Sequence, residues 1–176
     1  MNIEDKTDQN LPAIFLGLQQ HAKKLRELSL SASLRWRESS LLRLKKSIEI
    51  REEKVLAALQ SDLGKPQFEA FANEYGFILT ELNHTLKEFR GWAQDERCET
   101  PVALWPASSK IIHEPKGAVL ILAPWNYPFQ LSLGPLIAAI SAGNVALLKP
   151  SEFSPATSHL VQEIIREVWP DGEVIA

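Results

Sequence analysis

The sequence predicts an α/β protein in which N-terminal helices are followed by the first half of a parallel sheet. Three observations predict it. Residues 117–148 carry no charge, yet Pro124, Pro128 and Pro135 cut the run and Asn126, Gln130, Ser132, Ser141 and Asn144 place polar groups along it. Such a stretch fits a strand, a turn, a helix and a second strand packed inside a protein better than a membrane span. Upstream, Leu34, Leu41, Leu44, Ile48, Val55 and Leu59 recur at sums of three and four, a single helical stripe. Downstream, Ser154-Pro155 opens a further helix before a last apolar segment, Gly172 to Ala176.

Taken in order, residues 1–98 read as a helical region. Its long stripe is expected to form one helix that ends at Asp62-Leu-Gly-Lys-Pro66, where Gly64 suits a left-handed cap and Pro66 can start the next helix. Phe71, Tyr75, Ile78, Leu82, Leu86, Phe89 and Ala93 then repeat the helical period. Residues 99–116 form a polar, proline-bearing connector with a short candidate strand at Ser109–Glu114. From residue 117 to 176 the pattern is strand, helix, strand, helix, strand. Val119–Leu122 is continuously apolar, as expected of a parallel strand covered on both faces. Leu131–Ala142 reads as a helix capped by Gly143-Asn144, Val145–Leu148 as a second buried strand, and Ser154 as the N-cap of a helix reaching about Val168. This is half of a Rossmann-like, dinucleotide-binding sheet.

Composition narrows the function classes. A net charge of −3 lacks the concentrated basic face that nucleic acid requires. Met1-Asn-Ile-Glu-Asp-Lys is polar with no apolar segment behind it, so no secretory signal is expected and the location is read as cytoplasmic. With one cysteine there is no internal disulfide, and the four histidines show no zinc spacing. Glu81-x-x-His84 has the spacing of carboxylate-bridged metal bundles, but the second copy such a site needs is missing, which leaves an exposed helix face.

Two loops could carry chemistry. In a βαβ nucleotide site an acidic residue after the second strand takes the ribose hydroxyls. Glu152 stands there, with Lys149 three residues earlier. A carboxylate can accept from two adjacent hydroxyls while an ammonium donates to the same sugar; alternatively the pair is two solvated loop charges. The usual Gly-rich phosphate loop is replaced by Ala123-Pro-Trp-Asn-Tyr-Pro128, whose prolines offer no amide donors. Asn126 either stabilises the turn or aims its amide at a developing oxyanion. Trp125 either walls a pocket or packs in the core.

Ala123-Pro-Trp-Asn-Tyr-Pro128 and Lys149-Pro-Ser-Glu152, separated by an apolar helix, resemble the NAD(P)-dependent aldehyde dehydrogenase superfamily, and Asp62-Leu-Gly-Lys-Pro66 resembles its class 3 or fatty-aldehyde branch. The likeness runs from about Arg35 to Ala176. It implies that Asn126 is the oxyanion donor of a thiohemiacetal intermediate, that Pro124 and Trp125 line the nicotinamide-side channel, that Lys149 and Glu152 hold the adenosine ribose, and that Ser151 belongs to the cofactor-binding residues. The implied cofactor is NAD, with NADP open because Glu152 repels a 2′-phosphate and Lys149 attracts one. The implied reaction oxidises an aldehyde to a carboxylic acid. Half a sheet should leave apolar faces uncovered and a strand edge unpaired, so a homodimer or other self-association is expected.

The family's nucleophilic cysteine, glutamate base and Gly-rich loop have no counterpart in these 176 residues, so the fold is expected to be a truncated version of the family's. Cys98 does not replace the nucleophile, because Asp95-Glu-Arg-Cys-Glu99 surrounds it with mostly acidic neighbours that disfavour a thiolate. The leading expectation is an N-terminal portion of an aldehyde dehydrogenase, inactive by itself. The competing one is a short non-catalytic binding or regulatory module that pairs with a full-length aldehyde dehydrogenase.

Overall fold

The structure is a computed structural model and describes residues 11–176. The polar lead that argues against a secretory signal, and with it the start of the helical region, lies outside the described residues.

Three helices come first: α1 (Leu11–Arg26), α2 (Leu30–Glu49) and α3 (Glu52–Leu63). The stripe from Leu34 to Leu59 predicts one helix, and the structure divides it. The chain leaves the helix at Ile50 (ψ −1°) and Arg51 (φ −120°, ψ 17°). Arg51 folds back to donate from Nη1 to the Ser47 carbonyl at 2.8 Å and to Ser47 Oγ at 2.9 Å, and it also ion-pairs with Glu167. The bend lets α2 and α3 both lie against the helix that holds Glu167, α7 (Pro155–Val168). Periodicity alone does not reveal it, because the apolar spacing continues through the bend.

Gly64 ends α3 at φ 65°, where a Cβ would be strained, and its N–H bonds the Gln60 carbonyl at 2.9 Å. Next come α4 (Gln67–Ala70), a π turn (Phe71–Tyr75) and α5 (Gly76–Trp92). Pro66 stands just before α4 in extended conformation instead of inside its first turn. The π turn absorbs an extra residue. Phe71, expected in the buried stripe, is 43% exposed, whereas Tyr75, Ile78, Leu82 and Phe89 are buried as the stripe predicts.

A small hairpin follows. Strand β1 (Glu96–Cys98) runs antiparallel to β2 (Ser109–Ile111), with Arg97 opposite Lys110 and Cys98 opposite Ser109. The strand expected at 109–114 is thus shorter. Its partner is three exposed residues at the end of the stretch that reads as helical, and the sequence pattern does not show it. A three-residue strand has too few positions to display a period.

The parallel sheet has the order β3-β4-β5, built from β3 (Ala118–Leu122), β4 (Val145–Lys149) and β5 (Val174–Ile175). Helix α6 (Pro128–Ser141) connects β3 to β4 and begins earlier than the predicted Leu131; α7 connects β4 to β5. Ile121, Ala146, Leu148 and Val174 face the main core, where α2, α3, α5, α6 and α7 contribute Leu44, Leu59, Ile78, Leu133, Ile164 and their neighbours. Among the described residues the opposite face is covered by α1, through Leu18 and Ala22 against Val145, with Ala118, Leu147 and Ile175 packed beside them. Towards the carboxyl ends Leu120 and Leu122 are 60% and 69% exposed. Among the described residues this corrects the expectation that Val119–Leu122 is covered on both faces: an unbroken apolar run shows that a strand is suited to double burial, and here one face of Leu120 and Leu122 is open. No helix among the described residues is long and apolar enough to cross a membrane.

Candidate functional site

The candidate site lies at the carboxyl edge of the parallel sheet. Leu122 and Lys149 pair in register at the ends of β3 and β4, and the Ala123 N–H bonds the Lys149 carbonyl at 3.0 Å. Both candidate loops therefore leave the sheet side by side.

The first loop, Ala123 to Tyr127, is a bend leading into α6. Pro124, Trp125 and Asn126 are all exposed, Trp125 by 53%. Among the described residues the Asn126 side chain has no hydrogen-bond partner, and the amides of Trp125, Asn126 and Tyr127 have no acceptor. What holds the loop comes from outside it. Glu74, fully buried in the π turn, accepts through Oε2 from the amides of Phe129 (2.8 Å) and Gln130 (3.3 Å), the first turn of α6. Its other oxygen, Oε1, ion-pairs with buried Lys65, whose Nζ lies 3.8 Å from the centroid of the Tyr127 ring.

In the second loop, Lys149 and Glu152 form an ion pair with both side chains exposed. The Lys149 ammonium, hydrogen-bonded to Glu152, holds that carboxyl below the usual carboxylate range, helped by a backbone hydrogen bond. Ser151 is buried and acts within the loop. Its carbonyl accepts from Ser154 N–H (3.3 Å), Ser154 Oγ (3.3 Å) and Ser158 Oγ (2.7 Å), and its own Oγ accepts from Phe153 N–H at 3.2 Å.

Ser154 occupies the N-cap position of α7 as the sequence predicts, but its side chain makes no cap bond. Asp62, at the end of α3, supplies the cap: Oδ1 accepts from Ala156 N–H at 3.0 Å, and Oδ2 from Thr157 N–H and Thr157 Oγ1, both at 2.7 Å. Glu74 and Asp62 thus fill the two helix N-termini at this edge, positions that in dinucleotide folds receive phosphate. The missing Gly-rich loop has a structural counterpart here, since the end of α6 is already neutralised by the protein's own carboxylate.

The structure gathers Lys149, Ser151 and Glu152 along one cleft of about 310 Å³, together with Pro155, Ser158, His159 and Gln162 from one face of α7. Pro124, Trp125 and Asn126 stand on the neighbouring loop and do not line that cleft. No motif marks the α7 contributions; the one signal in the sequence is that 155, 158, 159 and 162 share a helical face. Asp62 and Glu74 are equally unmarked, one inside a motif that reads only as a helix stop and the other as one acidic residue among several. Cys98 is exposed on β1, in the hairpin and not the parallel sheet. His84 stacks obliquely against Trp92, ring centroids 5.7 Å apart, and among the described residues no group of three His, Cys, Asp or Glu could hold a metal.

Residues 18–175 match the model of the aldehyde dehydrogenase family. The chain is 43% identical over 134 residues to a 4,4′-diaponeurosporen-aldehyde dehydrogenase of Staphylococcus aureus, covering 76% of this chain and 29% of that protein. It is 40% identical over 132 residues to aldehyde dehydrogenase family 3 member H1 of Arabidopsis thaliana, covering 75% of this chain and 27% of the relative. The solved substrate-bound AldH of Staphylococcus aureus superposes with a TM-score of 0.86 at 35% identity, over 99% of this chain and 36% of that one. A succinic semialdehyde dehydrogenase from Streptococcus pyogenes, solved with NADP+, shares the fold at a TM-score of 0.85 and 19% identity, over 99% of this chain and 37% of that one. The chain spans under a third of the length of those two curated relatives. Its helices and its parallel sheet follow the fold of those structures, and the chain belongs to the aldehyde dehydrogenase family, with class 3 members among its relatives.

Proposed function

We propose that this chain supplies the nucleoside-binding edge and the oxyanion donor of an NAD(P)-dependent aldehyde dehydrogenase that oxidises aldehydes to carboxylic acids. One observation carries the reading: Lys149 and Glu152 meet at the mouth of a 310 Å³ cleft, on the strand end paired with the one that launches the Asn126 loop. A bound nicotinamide dinucleotide supplies the two-electron acceptor.

The residues present fit its adenosine half. Glu152 has lone pairs left for two ribose hydroxyls, Lys149 has two donors beyond its ion pair, and the cleft has the volume of a small-ligand site. Ser151 shapes this loop through its internal hydrogen bonds. With Asp62 and Glu74 at the α7 and α6 termini, the cofactor's phosphates are held by other groups. Glu152 disfavours a 2′-phosphate by charge, so NAD is the preferred cofactor and NADP the alternative. Pro124 and Trp125 wall the nicotinamide side, and the Asn126 amide, without a partner among the described residues, donates to the oxygen that becomes negative when a thiolate adds to the aldehyde. Cys98, on the exposed hairpin, is not that thiolate.

Self-association belongs to the same proposal. Val102, Leu104, Trp105 and Ile111 are exposed on or beside the hairpin, by 91%, 57%, 82% and 48%, an apolar surface suited to a second subunit.

The test is cofactor discrimination in a full-length relative. Glu152→Gln should weaken NAD more than NADP; equal effects on both would remove Glu152 from ribose recognition. Residues 1–176 alone should give no NAD-dependent turnover of aldehydes, and NADH formation abolished by Cys98→Ser would overturn the exclusion of that thiol.

A further inference from the structure

Asp62-Leu-Gly-Lys-Pro66 enters the proposed function only through Asp62 at the start of α7, yet a second side chain of the segment, Lys65, reaches the loop that carries Asn126. We propose that Lys65, together with Glu74, is a positioning residue for the loop carrying Asn126, and that it acts through the face of Tyr127. The proposal rests on the reading of Asn126 as the oxyanion donor.

A loop that must hold one side chain in place has to be fixed by something. Here the loop's own backbone contributes little. Pro124 and Pro128 have no N–H, and among the described residues the three amides between them have no acceptor. The next backbone anchors are Ala123 N–H on the Lys149 carbonyl and Leu131 N–H on the Tyr127 carbonyl at 2.9 Å. Between Ala123 and the first turn of α6, a side-chain anchor is the Tyr127 ring, with the Lys65 ammonium 3.8 Å from its centroid, a cation–π geometry. Lys65 is only 7% exposed and is itself held by Glu74 Oε1, while Glu74 Oε2 holds the first turn of α6. One carboxylate therefore ties the start of α6 and, through the ammonium, the residue next to Asn126. Gly64, at φ 65°, makes the turn that brings Lys65 to this place directly after Asp62 has capped α7. Two residues of one short segment thus reach the start of α7 and the loop that carries Asn126.

The ring contact separates positioning from plain stability, because it can be altered without touching the buried pair. The experiment measures amide hydrogen exchange and backbone ¹⁵N relaxation on residues 1–176. Tyr127→Leu, which removes the ring face, should lower the order parameters of Trp125 and Asn126 and leave the exchange of Leu133, Ile137 and Ile164 unchanged. Tyr127→Phe, which keeps the ring face, should restore wild-type values. Lys65→Met should reproduce the loosening at Asn126 and speed exchange of the Phe129 and Gln130 amides at least tenfold, while Ala156 and Thr157, capped by Asp62, stay protected. An Asn126 equally ordered in Tyr127→Leu and wild type would overturn the proposal, as would uniform loosening of the whole chain by that variant. If Lys65→Met does not fold, the Leu and Phe pair at Tyr127 still decides. These readouts do not depend on catalysis. Unaltered turnover of Asn126→Ala in a full-length relative, alongside the expected loosening here, would sink the oxyanion reading and leave the positioning contact intact.

Discussion

The loops after β3 and β4 leave the same sheet edge from paired residues, and they are held in opposite ways. The second closes on itself: Ser151 receives three hydrogen bonds on its carbonyl, and Lys149 pairs with Glu152 three residues away. The first makes almost no bonds of its own and is clamped from the helical region by Glu74 and Lys65. The difference follows from composition. A serine-rich loop has side chains that can satisfy its backbone locally. In the loop bounded by two prolines the three amides between them find no acceptor among the described residues, so the loop depends on distant residues for order. A group that must act on a ligand benefits from the second arrangement.

The comparison breaks most easily at Glu74. Glu74→Ala leaves a buried ammonium without its partner and the start of α6 without its acceptor, so residues 1–176 should lose about 3–5 kcal/mol of stability. Urea denaturation monitored by circular dichroism measures this, and a loss below about 1 kcal/mol would mean that the first loop is not held from outside. Removing the exposed group of the same loop should act on chemistry instead. In a full-length relative, Asn126→Ala should lower turnover by roughly two to three orders of magnitude, with stability changed by no more than about 0.5 kcal/mol. A large stability loss with turnover intact would make Asn126 a turn residue.

The second loop should prove less dependent on outside help. Asp62→Ala removes the cap of α7 and should cost about 1–2 kcal/mol, with faster exchange confined to Ala156 and Thr157; loosening that spread to Lys149–Glu152 would show that this loop too is held from the helical region.

The smallest effect belongs to the exposed ion pair. The Glu152 carboxyl should titrate below its ordinary range by NMR, and Lys149→Met should move it back up. The sign follows from the lowered value. Any contribution of the pair to stability is present above the unfolded carboxyl's range and is lost as pH falls through the lower folded value. Because both groups are solvated, added salt should shrink the shift. A shift unaffected by Lys149→Met would assign it to the backbone bond alone.

Much of this architecture is legible in the amino-acid pattern. Apolar runs and 3.6-residue stripes depend on near neighbours, so the order of helices and strands, the left-handed turn at Gly64 and the placement of Asn126, Lys149 and Glu152 at one sheet edge follow from the sequence and the parallel topology it implies. The bend at Ile50–Arg51 and the π turn do not, since each preserves or only slightly shifts the apolar spacing.

Local sequence by itself determined the longer helices and the strands of the parallel sheet, because a segment's period fixes which face it can bury. Tertiary structure alone decided which groups cap the starts of α6 and α7. The free N–H groups at the start of a helix take whichever acceptor is best placed. Ser154 stands next to α7, yet its hydroxyl is drawn to the Ser151 carbonyl, and Asp62, 94 positions from Ala156, takes the amides. Glu74 does the same for α6 across 55 positions. Acceptors at that separation leave no trace in the local pattern, because only folding brings them to the helix ends.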